Sequence, residues 1–516
     1  HPLLDGYLQT AIQRAIDAEL VYVRGIPPDA IYQFKHALIR DAAYEALLRS
    51  RRKELHSQIA EVLVRQFSES VTSAPELLAY HYTEAGLIEQ AIPYWQRAGQ
   101  KAIARSANTE AISHITKGLE LLTVTPDSPE RIQQELRLQM ALGGSLMAIK
   151  GNATPEAGKA YARALELCQQ TGKTPRLFPV LGALAGFHLI RGELRTAREL
   201  AEQYLRLAQN LQTPARLQAA HYMVGDVLYY LGELPQSRTH LEQAIALYDP
   251  RKERFRAIED PGVACLGIAA LTLWALGYPD QALKRMRESL TLAQELSHPF
   301  SLAYALYCTA WLYQFRREVE ATQEQAEALI ALSHEHGFTL HEARATTCRG
   351  WALAKQGRND EGIAQIRQGL AASQATGAEV SQPHQFTLLA EACGEAGQPE
   401  EGLTALTDAL DLASRTGCVY YEPESYRLKG ELLIMRDGSS AAQAESCFQR
   451  AVQGARKQGA KFFELRATTS LARLLAHQGR GDEARLMLAE IYAWFTAGFD
   501  TADLKEAKEM LDELSR

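Results

Sequence analysis

Three short stretches of the sequence have residue types that resemble catalytic or metal-binding motifs. The densest histidine cluster comprises His334, His336 and His341-Glu342. A zinc protease needs a second histidine three residues after such a glutamate, and Ala345 stands there instead. We therefore predict no metal site and interpret these histidines as surface residues around a helix break at Gly337.

The second stretch is the nearest approach in this chain to a phosphate-binding loop. Such a loop needs a glycine, four residues, and then Gly-Lys-Ser/Thr, so that backbone amides and the lysine converge on phosphates. Six residues separate Gly151 from Gly158, and Ala160 replaces the hydroxyl residue. We predict a loop and a helix start, with Thr154 as the N-terminal cap and Pro155 at the first helical position.

The third stretch, residues 143–147, begins like the nucleophile elbow of a hydrolase. It lacks the final glycine and stands in a helical context, whereas an elbow joins a strand to a helix. No stretch therefore meets the spacing that its chemistry requires. We predict that the chain is not an enzyme and that it binds neither a metal nor a cofactor.

Composition excludes further classes of function. The 516 residues carry a net charge of −7, whereas a nucleic-acid binder would show a basic face. The longest uncharged apolar run, residues 263–278, is marginal for a bilayer. The seven cysteines form no Cys-x-x-Cys pair, as expected of free thiols in a reducing cytosol. We expect a cytoplasmic protein without nucleic-acid or membrane partners.

A repeat organises most of the chain and must position whatever site it has. Its skeleton is a glycine, a small residue five positions later and another seven beyond that, as in Gly232/Ser237/Ala244. Other copies begin at Gly192, Gly277, Gly357, Gly397 and Gly479, and weaker ones at Asn152, Arg316 and Ser439. Successive copies are 39 to 45 residues apart.

Each copy predicts a helical hairpin. The glycine ends one helix with a residue that tolerates positive φ, and the small residues allow the next helix to pack closely. This pattern is similar to that of the tetratricopeptide repeat, whose period is about 34 residues. The predicted fold is an all-α, right-handed superhelical solenoid of about ten hairpins.

In tetratricopeptide superhelices the first helix of each hairpin lines the concave surface. Positions two, three, six, ten and thirteen before the repeat glycine then give the candidate residues for binding a ligand or partner. These residues are Tyr222, Asp226, Tyr229, Tyr230, Trp274, Tyr313, Arg344, Trp351, Glu391, Tyr426, Lys429, Arg466 and Arg473. Their aromatic rings suit a groove that grips a peptide or a sugar-like ligand. Alternatively, rings such as Trp274 and Trp351 pack between hairpins.

The N-terminal residues 1–67 do not follow the repeat. Their periodicity predicts a helix over 3–18, strands over 19–24 and 30–35 joined by a turn at 25–29, and helices over 36–48 and 51–66. This order indicates a winged-helix-like remnant. Residues 68–150 are expected to form divergent first hairpins, and residues 151–516 the solenoid with a C-terminal capping helix.

Segments 32–44, 75–86 and 91–99 resemble the region that follows the nucleotide-binding domain in bacterial STAND-type signalling ATPases. These proteins are often fused to an adenylate or guanylate cyclase domain and end in tetratricopeptide repeats. The layout is also similar to the repeat superhelix of the bacterial maltose regulator. The resemblance implies a sensor half, with an ATPase domain of the same protein located upstream.

Three functions follow from these patterns. The leading one is a non-catalytic sensor domain in bacterial signal transduction that binds a protein, a peptide or a small effector in the groove. A second is an assembly scaffold that forms a homo-oligomer or holds a client peptide. A third is a part of an adenylate or guanylate cyclase whose catalytic domain lies upstream.

Overall fold

The computed structural model describes residues 2–25, 30–150, 154–171, 174–249, 259–437 and 440–516. These residues form 26 helices and a single two-stranded antiparallel sheet, so the predicted all-α fold class is confirmed. None of these helices is both long and apolar enough to cross a membrane. The chain divides into two compact units, His1–Ala98 with Glu120–Thr125, and Gly99–Leu119 with Pro126–Arg516.

The first unit holds the non-repeat elements. They are α1 Pro2–Asp17, β1 Val21–Arg24, β2 Ile31–Phe34, α2 Ala37–Glu45, α3 Arg49–Gln66, α4 Ser68–Ser73, α5 Pro75–Ala85 and most of α6 Ile88–Ala104. The predicted helix, hairpin and two helices are confirmed. Residues 26–29 of the predicted turn lie outside the described residues. Trp95 anchors a small core, and its Nε1 donates to Thr83 Oγ1 over 3.0 Å.

The second unit contains most of α7 and nine successive hairpins closed by a last helix. Its elements are α7 Asn108–Leu122, α8 Pro129–Lys150, α9 Pro155–Thr171, α10 Thr174–Ile190, α11 Leu194–Leu211, α12 Pro214–Tyr230, α13 Leu234–Leu247, α14 Pro261–Ala275, α15 Pro279–Leu296, α16 Pro299–Phe315, α17 Val319–His336, α18 Thr339–Lys355, α19 Asn359–Ala375, α20 Gln382–Glu395, α21 Pro399–Thr416, α22 Glu422–Arg436, α23 Ala441–Gln458, α24 Lys461–His477, α25 Gly481–Tyr492 and α26 Ala502–Leu514. The helix start predicted at Pro155 is confirmed, with the Ala157 amide donating to Thr154 Oγ1 over 3.4 Å.

The repeat glycines form the turns of the hairpins, as predicted. All six have positive φ, between 69° and 93°, a range that L side chains rarely adopt. At Gly232 the turn is closed by the Glu233 amide, which donates to Leu228 O over 2.9 Å. This bond satisfies a carbonyl that the end of α12 would otherwise leave without a partner.

The predicted register of one repeat is wrong by one residue. Arg317, not Arg316, occupies the glycine position, with φ of 61° between α16 and α17. The buried residues five and twelve positions later are then Thr322 and Leu329. A residue with a Cβ atom in this conformation costs about 1 kcal/mol, so sequence patterns favour glycine there and miss an arginine. The weaker copies begin at Asn152 and Ser439, which lie outside the described residues.

Small residues bring the two helices of a hairpin into close contact. A Cβ atom built on Gly350 would lie 2.7 Å from Gly362 O, and one on Gly362 would lie 2.6 Å from Gly350 O. No side chain fits at these distances. The α18 and α19 backbones therefore touch, as the small-residue skeleton predicts.

The even-numbered helices from α8 to α26 form a continuous inner layer, because each one contacts the next even-numbered helix. The odd-numbered helices from α9 to α25 pack outside this layer as the second members of their hairpins. The inner layer is the surface on which the sequence predicts the binding residues.

Inner helices five hairpins apart also contact each other, and we call these contacts the seam. The C-terminal ends of α8, α10, α12, α14 and α16 meet the N-terminal ends of α18, α20, α22, α24 and α26 or the turns that precede them. Tyr230 O accepts from the Val419 amide over 3.0 Å, and Ile190 O accepts from the Glu379 amide over 2.9 Å. Ile149 O accepts from Thr339 Oγ1 over 2.7 Å. Five hairpins therefore complete a turn of the solenoid.

Stacked aromatic rings fill the space enclosed by the seam. The Trp274 ring stacks on Phe462 at 4.8 Å with an interplanar angle of 6°, and Phe315 stacks on Tyr421 at 5.4 Å. We call Tyr229, Trp274, Trp311, Phe315, His384, Tyr420, Tyr421 and Phe462 the axial aromatic cluster. All of its members are buried.

Trp274→Ala should lower the free energy of unfolding by about 3 to 5 kcal/mol, because it leaves a large cavity across the seam. Trp494→Ala is the matched control, since Trp494 is 37% exposed and should cost far less. Urea denaturation followed by circular dichroism measures both values. Equal losses in the two variants would contradict a seam that closes on Trp274.

Candidate functional site

All thirteen predicted binding residues lie on inner helices. Eight are buried: Tyr222, Asp226, Tyr229, Tyr230, Trp274, Arg344, Trp351 and Arg466. Tyr313, Glu391, Tyr426 and Lys429 are half-buried, and Arg473 is exposed. The predicted binding residues therefore lie on the expected inner layer, but most of them are buried in this structure.

The predicted aromatic residues contact one another or the opposite turn of the solenoid. Tyr229 packs on Tyr420 at 5.0 Å, and Tyr230 lies 5.5 Å from the same ring. Trp274 and Trp351 are at most 1% exposed. In this conformation both tryptophans are packed in the interior, as the alternative interpretation of these rings stated. A ligand could reach them only if the seam opened.

Polar atoms without a hydrogen-bond partner are concentrated in this buried layer. Among the described residues, those on the inner layer or the turn before α22 include Asp226 Oδ1, Tyr229 O–H, Trp274 Nε1, Trp311 Nε1, Arg344 Nη2 and Tyr420 O–H. A buried polar group without a partner costs roughly 1 to 3 kcal/mol. The interior therefore carries polar groups that packing alone does not explain.

Asp226 and Arg344 are the charged members of this set. Tyr222 O–H donates to Asp226 Oδ2 over 3.4 Å. Burial, and then the nearby Glu259 carboxylate, raise the pKa of Asp226 to about 7. Arg344 lies over the Tyr307 ring, with its guanidinium carbon 4.7 Å from the ring centroid. The positive charge of Arg344 opposes this rise in the pKa of Asp226, although the two side chains form no ion pair.

The predicted residues on α18 and α20 form a polar chain. Trp351 Nε1 donates to Glu391 Oε2 over 2.8 Å, and Lys355 Nζ lies 2.7 Å from Glu391 Oε1. Burial alone would raise the pKa of Glu391, but the Lys355 ammonium lowers it to about 2. Glu391 is therefore ionised and held by two partners.

The predicted arginines of α24 hold the C-terminal helix. Arg466 Nη2 lies 2.9 Å from Asp503 Oδ2 and donates to Phe315 O, so it joins the seam to α26. Arg473 Nη2 lies 2.7 Å from Glu506 Oε1. Both ion pairs tie α26 to α24, and the capping role of this last helix stays a prediction.

The predicted residues of α22 face their hairpin partner. The Tyr426 ring lies under the Arg450 guanidinium at 4.1 Å, and Arg450 belongs to α23. Burial raises the pKa of Cys447, which also belongs to α23, and the positive charge of Lys429 opposes that rise. These side chains therefore do not join the axial aromatic cluster.

Sequence reasoning missed several residues of this layer. Positions three, six and ten before Arg317 are Gln314, Trp311 and Tyr307, and all three are buried. With the correct register the rule would have found them, whereas it selected the half-buried Tyr313. Tyr420 and Tyr421 lie in the turn before α22. A rule that selects positions within helices cannot identify them.

His341 is buried, so its interpretation as a surface histidine is wrong. Burial and the positive charge of Arg344 lower the pKa of His341 to about 3. His334 remains exposed. The described residues contain no group of three or more histidines, cysteines and carboxylates that could hold a metal ion. All seven cysteines are free thiols.

Two clefts open outside the axial aromatic cluster. One of 230 Å³ lies between α11, α12 and α13, and includes Arg198, Glu202 and His240. The other, of 390 Å³, lies beside the seam between the turns at Gly192 and Gly377. In the second cleft Arg191 pairs with Glu193 over 2.8 Å, and Arg415 pairs with Glu379 over 3.3 Å.

Comparison with known proteins agrees with this architecture. The sequence profile of the tetratricopeptide repeat matches residues 263–288 and 465–490. These segments cover parts of the hairpins α14/α15 and α24/α25, which stack on each other at the seam. The fold is a tetratricopeptide-like helical solenoid.

Two of the solved structures to which the chain is similar are complexes. NprR in complex with its cognate peptide NprX has a TM-score of 0.50 and 10% identity, over 72% of this chain and 99% of that one. A Rap protein complexed with competence and sporulation factor has a TM-score of 0.49 and 15% identity, over 75% and 99%. At 10% identity the likeness to NprR concerns the fold alone.

A relative of unknown function is longer than this chain. An uncharacterised protein of Rhizobium meliloti (strain 1021) is 25% identical over 390 residues, which are 73% of this chain and 37% of that protein. The chain thus spans little more than a third of the curated relative that it matches.

His384→Gln should reduce the loss of stability in acid. His384 Nε2 lies 3.0 Å from Gln314 Oε1, and burial lowers the pKa of His384 to about 3. A folded-state pKa below the unfolded value of about 6.5 means that stability is present above pH 6.5 and is lost as the pH falls. The substitution should therefore remove about 2 kcal/mol of the loss between pH 6.5 and 5, measured by urea denaturation.

His477→Gln changes an exposed histidine and serves as the control. If both variants keep the parental pH dependence, His384 is not held neutral in the folded protein.

Proposed function

We propose that this chain is a non-catalytic recognition domain whose inner layer binds a protein, a peptide or a small effector. The observation that carries the proposal is the set of buried polar atoms without partners on inner helices. A solenoid that only had to hold itself together would favour apolar side chains there, because each such group opposes folding. Groups of this kind are more readily explained by a ligand that completes their hydrogen bonds.

The comparisons support the class of partner without identifying it. A solenoid of similar fold, NprR, was solved with a cognate peptide, which makes a peptide a reasonable ligand class for this chain as well. Tetratricopeptide-like solenoids present extended surfaces to such partners. The thirteen predicted residues remain the proposed site, with the buried ones becoming available to a large ligand only on opening of the seam.

The seam offers a means of passing binding on to other parts of the protein. A ligand that prefers either the closed or the open seam would shift the balance between them by its difference in affinity for the two states, and by no more. The output, on this proposal, is an ATPase domain upstream in the same polypeptide, with or without a cyclase domain. The greater length of the Rhizobium meliloti relative is compatible with further domains.

The N-terminal unit carries a surface suited to such a neighbour. The hairpin of β1 and β2 exposes Tyr22, Val23, Ile31, Tyr32 and Phe34. A two-stranded hairpin is marginal alone, and its apolar side chains gain stability when another surface covers them. We assign this face to the contact with the upstream domain.

Size-exclusion chromatography with light scattering, before and after mixing with separate protein and small-molecule fractions of the host, tests the proposal. A recognition domain should elute as a 57.2 kDa monomer and retain one defined ligand, which mass spectrometry identifies. Asp226→Asn should abolish retention without unfolding, since the change is isosteric. The control, Asp408→Asn, alters an exposed aspartate of α21 and should retain the ligand.

A stable homo-oligomer that retains nothing would instead support an assembly scaffold. Retention that is equal in both variants would remove the inner layer from the proposal and leave the outer surface as the binding face.

A further inference from the structure

Arg344 differs from the other buried arginines in having no acidic partner. Arg316 lies 2.6 Å from Glu318, and Arg466 lies 2.9 Å from Asp503. Arg344 is only 4% exposed, yet it forms no ion pair with a carboxylate of the described residues. A buried charge without a partner is strongly unfavourable, so a counter-ion is expected at this position.

The bonds that Arg344 does make fix the direction of its free donors. Its Nε donates to Ser381 Oγ over 3.2 Å, and its guanidinium lies over the Tyr307 ring. Nη2 has no partner in the described part of the chain. A guanidinium held in this way by one edge and one face presents its remaining N–H groups to an oxyanion, and carboxylates match that geometry.

A second unpaired group of opposite charge lies nearby. Asp226 is 5% exposed, and its Oδ1 has no partner, while Oδ2 accepts only from Tyr222. It forms no ion pair with a lysine or arginine of the described residues. The positive charge of Arg344 nevertheless opposes the rise that burial causes in the pKa of Asp226. Asp226 Oδ1 is thus an unused acceptor and Arg344 Nη2 an unused donor, and the two side chains are too far apart to form an ion pair.

A tyrosine contacts each of the two groups, Tyr222 at Asp226 and Tyr307 at Arg344. Tyr307 and Tyr304 pack edge to face at 6.4 Å, and Tyr304 is half-buried. Aromatic faces attract cations as well as apolar groups. We name Tyr222, Asp226, Tyr304, Tyr307 and Arg344 the zwitterion centre.

We propose that the zwitterion centre binds a free amino acid, with the α-carboxylate on Arg344 Nη2 and the α-ammonium group on Asp226 Oδ1. One small molecule then supplies both missing partners, which neither an anion nor a cation alone can do. The inference rests on the proposed function, in that it gives the effector of the recognition domain a chemical class.

Thermal unfolding of the whole chain with each standard amino acid in turn tests the inference. At least one should raise the Tm in a saturable way, because a ligand that binds only the folded state stabilises it. Its N-acetyl and amide derivatives each lack one charge and should bind at least tenfold more weakly by calorimetry. If no amino acid raises the Tm, or if the amide binds as well as the parent, the assignment is overturned.

Two arginine variants separate a binding role from a structural one. Arg344→Met should weaken binding by about 100-fold, the usual effect of removing one member of a buried charge pair, and should not lower the Tm of the free protein. Arg466→Met should lower that Tm, because it leaves the buried Asp503 with only the longer ion pair to Arg317 and leaves Phe315 O without its donor. Arg349→Met, on the outer side of the same helix near Gln365, is the control and should bind normally.

Failure of this inference is distinguishable from failure of the proposed function. If Arg344→Met lowers the Tm as much as Arg466→Met, Arg344 is satisfied within the chain and the zwitterion centre does not exist. Binding of short peptides in preference to amino acids would also overturn the inference. In both cases a protein or peptide retained by the unaltered chain would leave the proposed function standing.

Discussion

The carbonyl groups at the C-terminal ends of the inner helices are the constraint on which this solenoid depends. The last turn of any helix leaves carbonyls without partners in the helix itself. Here Ile149, Ile190 and Tyr230 accept from donors five hairpins later in the chain, and Phe315 accepts from Arg466, four hairpins later. The turns of the superhelix are thereby fixed against each other, and the axial aromatic cluster fills the space between them.

The hairpins could be predicted from the sequence because their turns and close contacts depend on residues that are near each other in the chain. Positive φ favours glycine at the turns, and close backbones require small residues, as at Gly350 and Gly362. Arg317 broke the first rule and displaced the register of one repeat. A rule based on residue type cannot detect an arginine that tolerates a strained conformation, whereas the burial of Thr322 and Leu329 identifies it at once.

The candidate site was only partly predictable, since the seam is a long-range property. The rule placed all thirteen residues on the inner layer but could not tell whether that layer faces solvent or the next turn of the solenoid. Trp274 illustrates the difficulty, because its partner Phe462 is nearly two hundred residues away. Residue spacing also could not predict that Arg344 has no acidic partner whereas Arg466 pairs with Asp503. This difference depends on side chains that lie several hairpins away in the sequence.

The fixed offset of five hairpins changes how this protein can evolve. Open repeat arrays gain or lose single repeats easily, since each unit contacts only its neighbours. In this solenoid, insertion or deletion of one hairpin between α16 and α18 would separate all five pairs of seam helices at once. The repeats are therefore no longer interchangeable parts, and the length of the array is inherited as a whole.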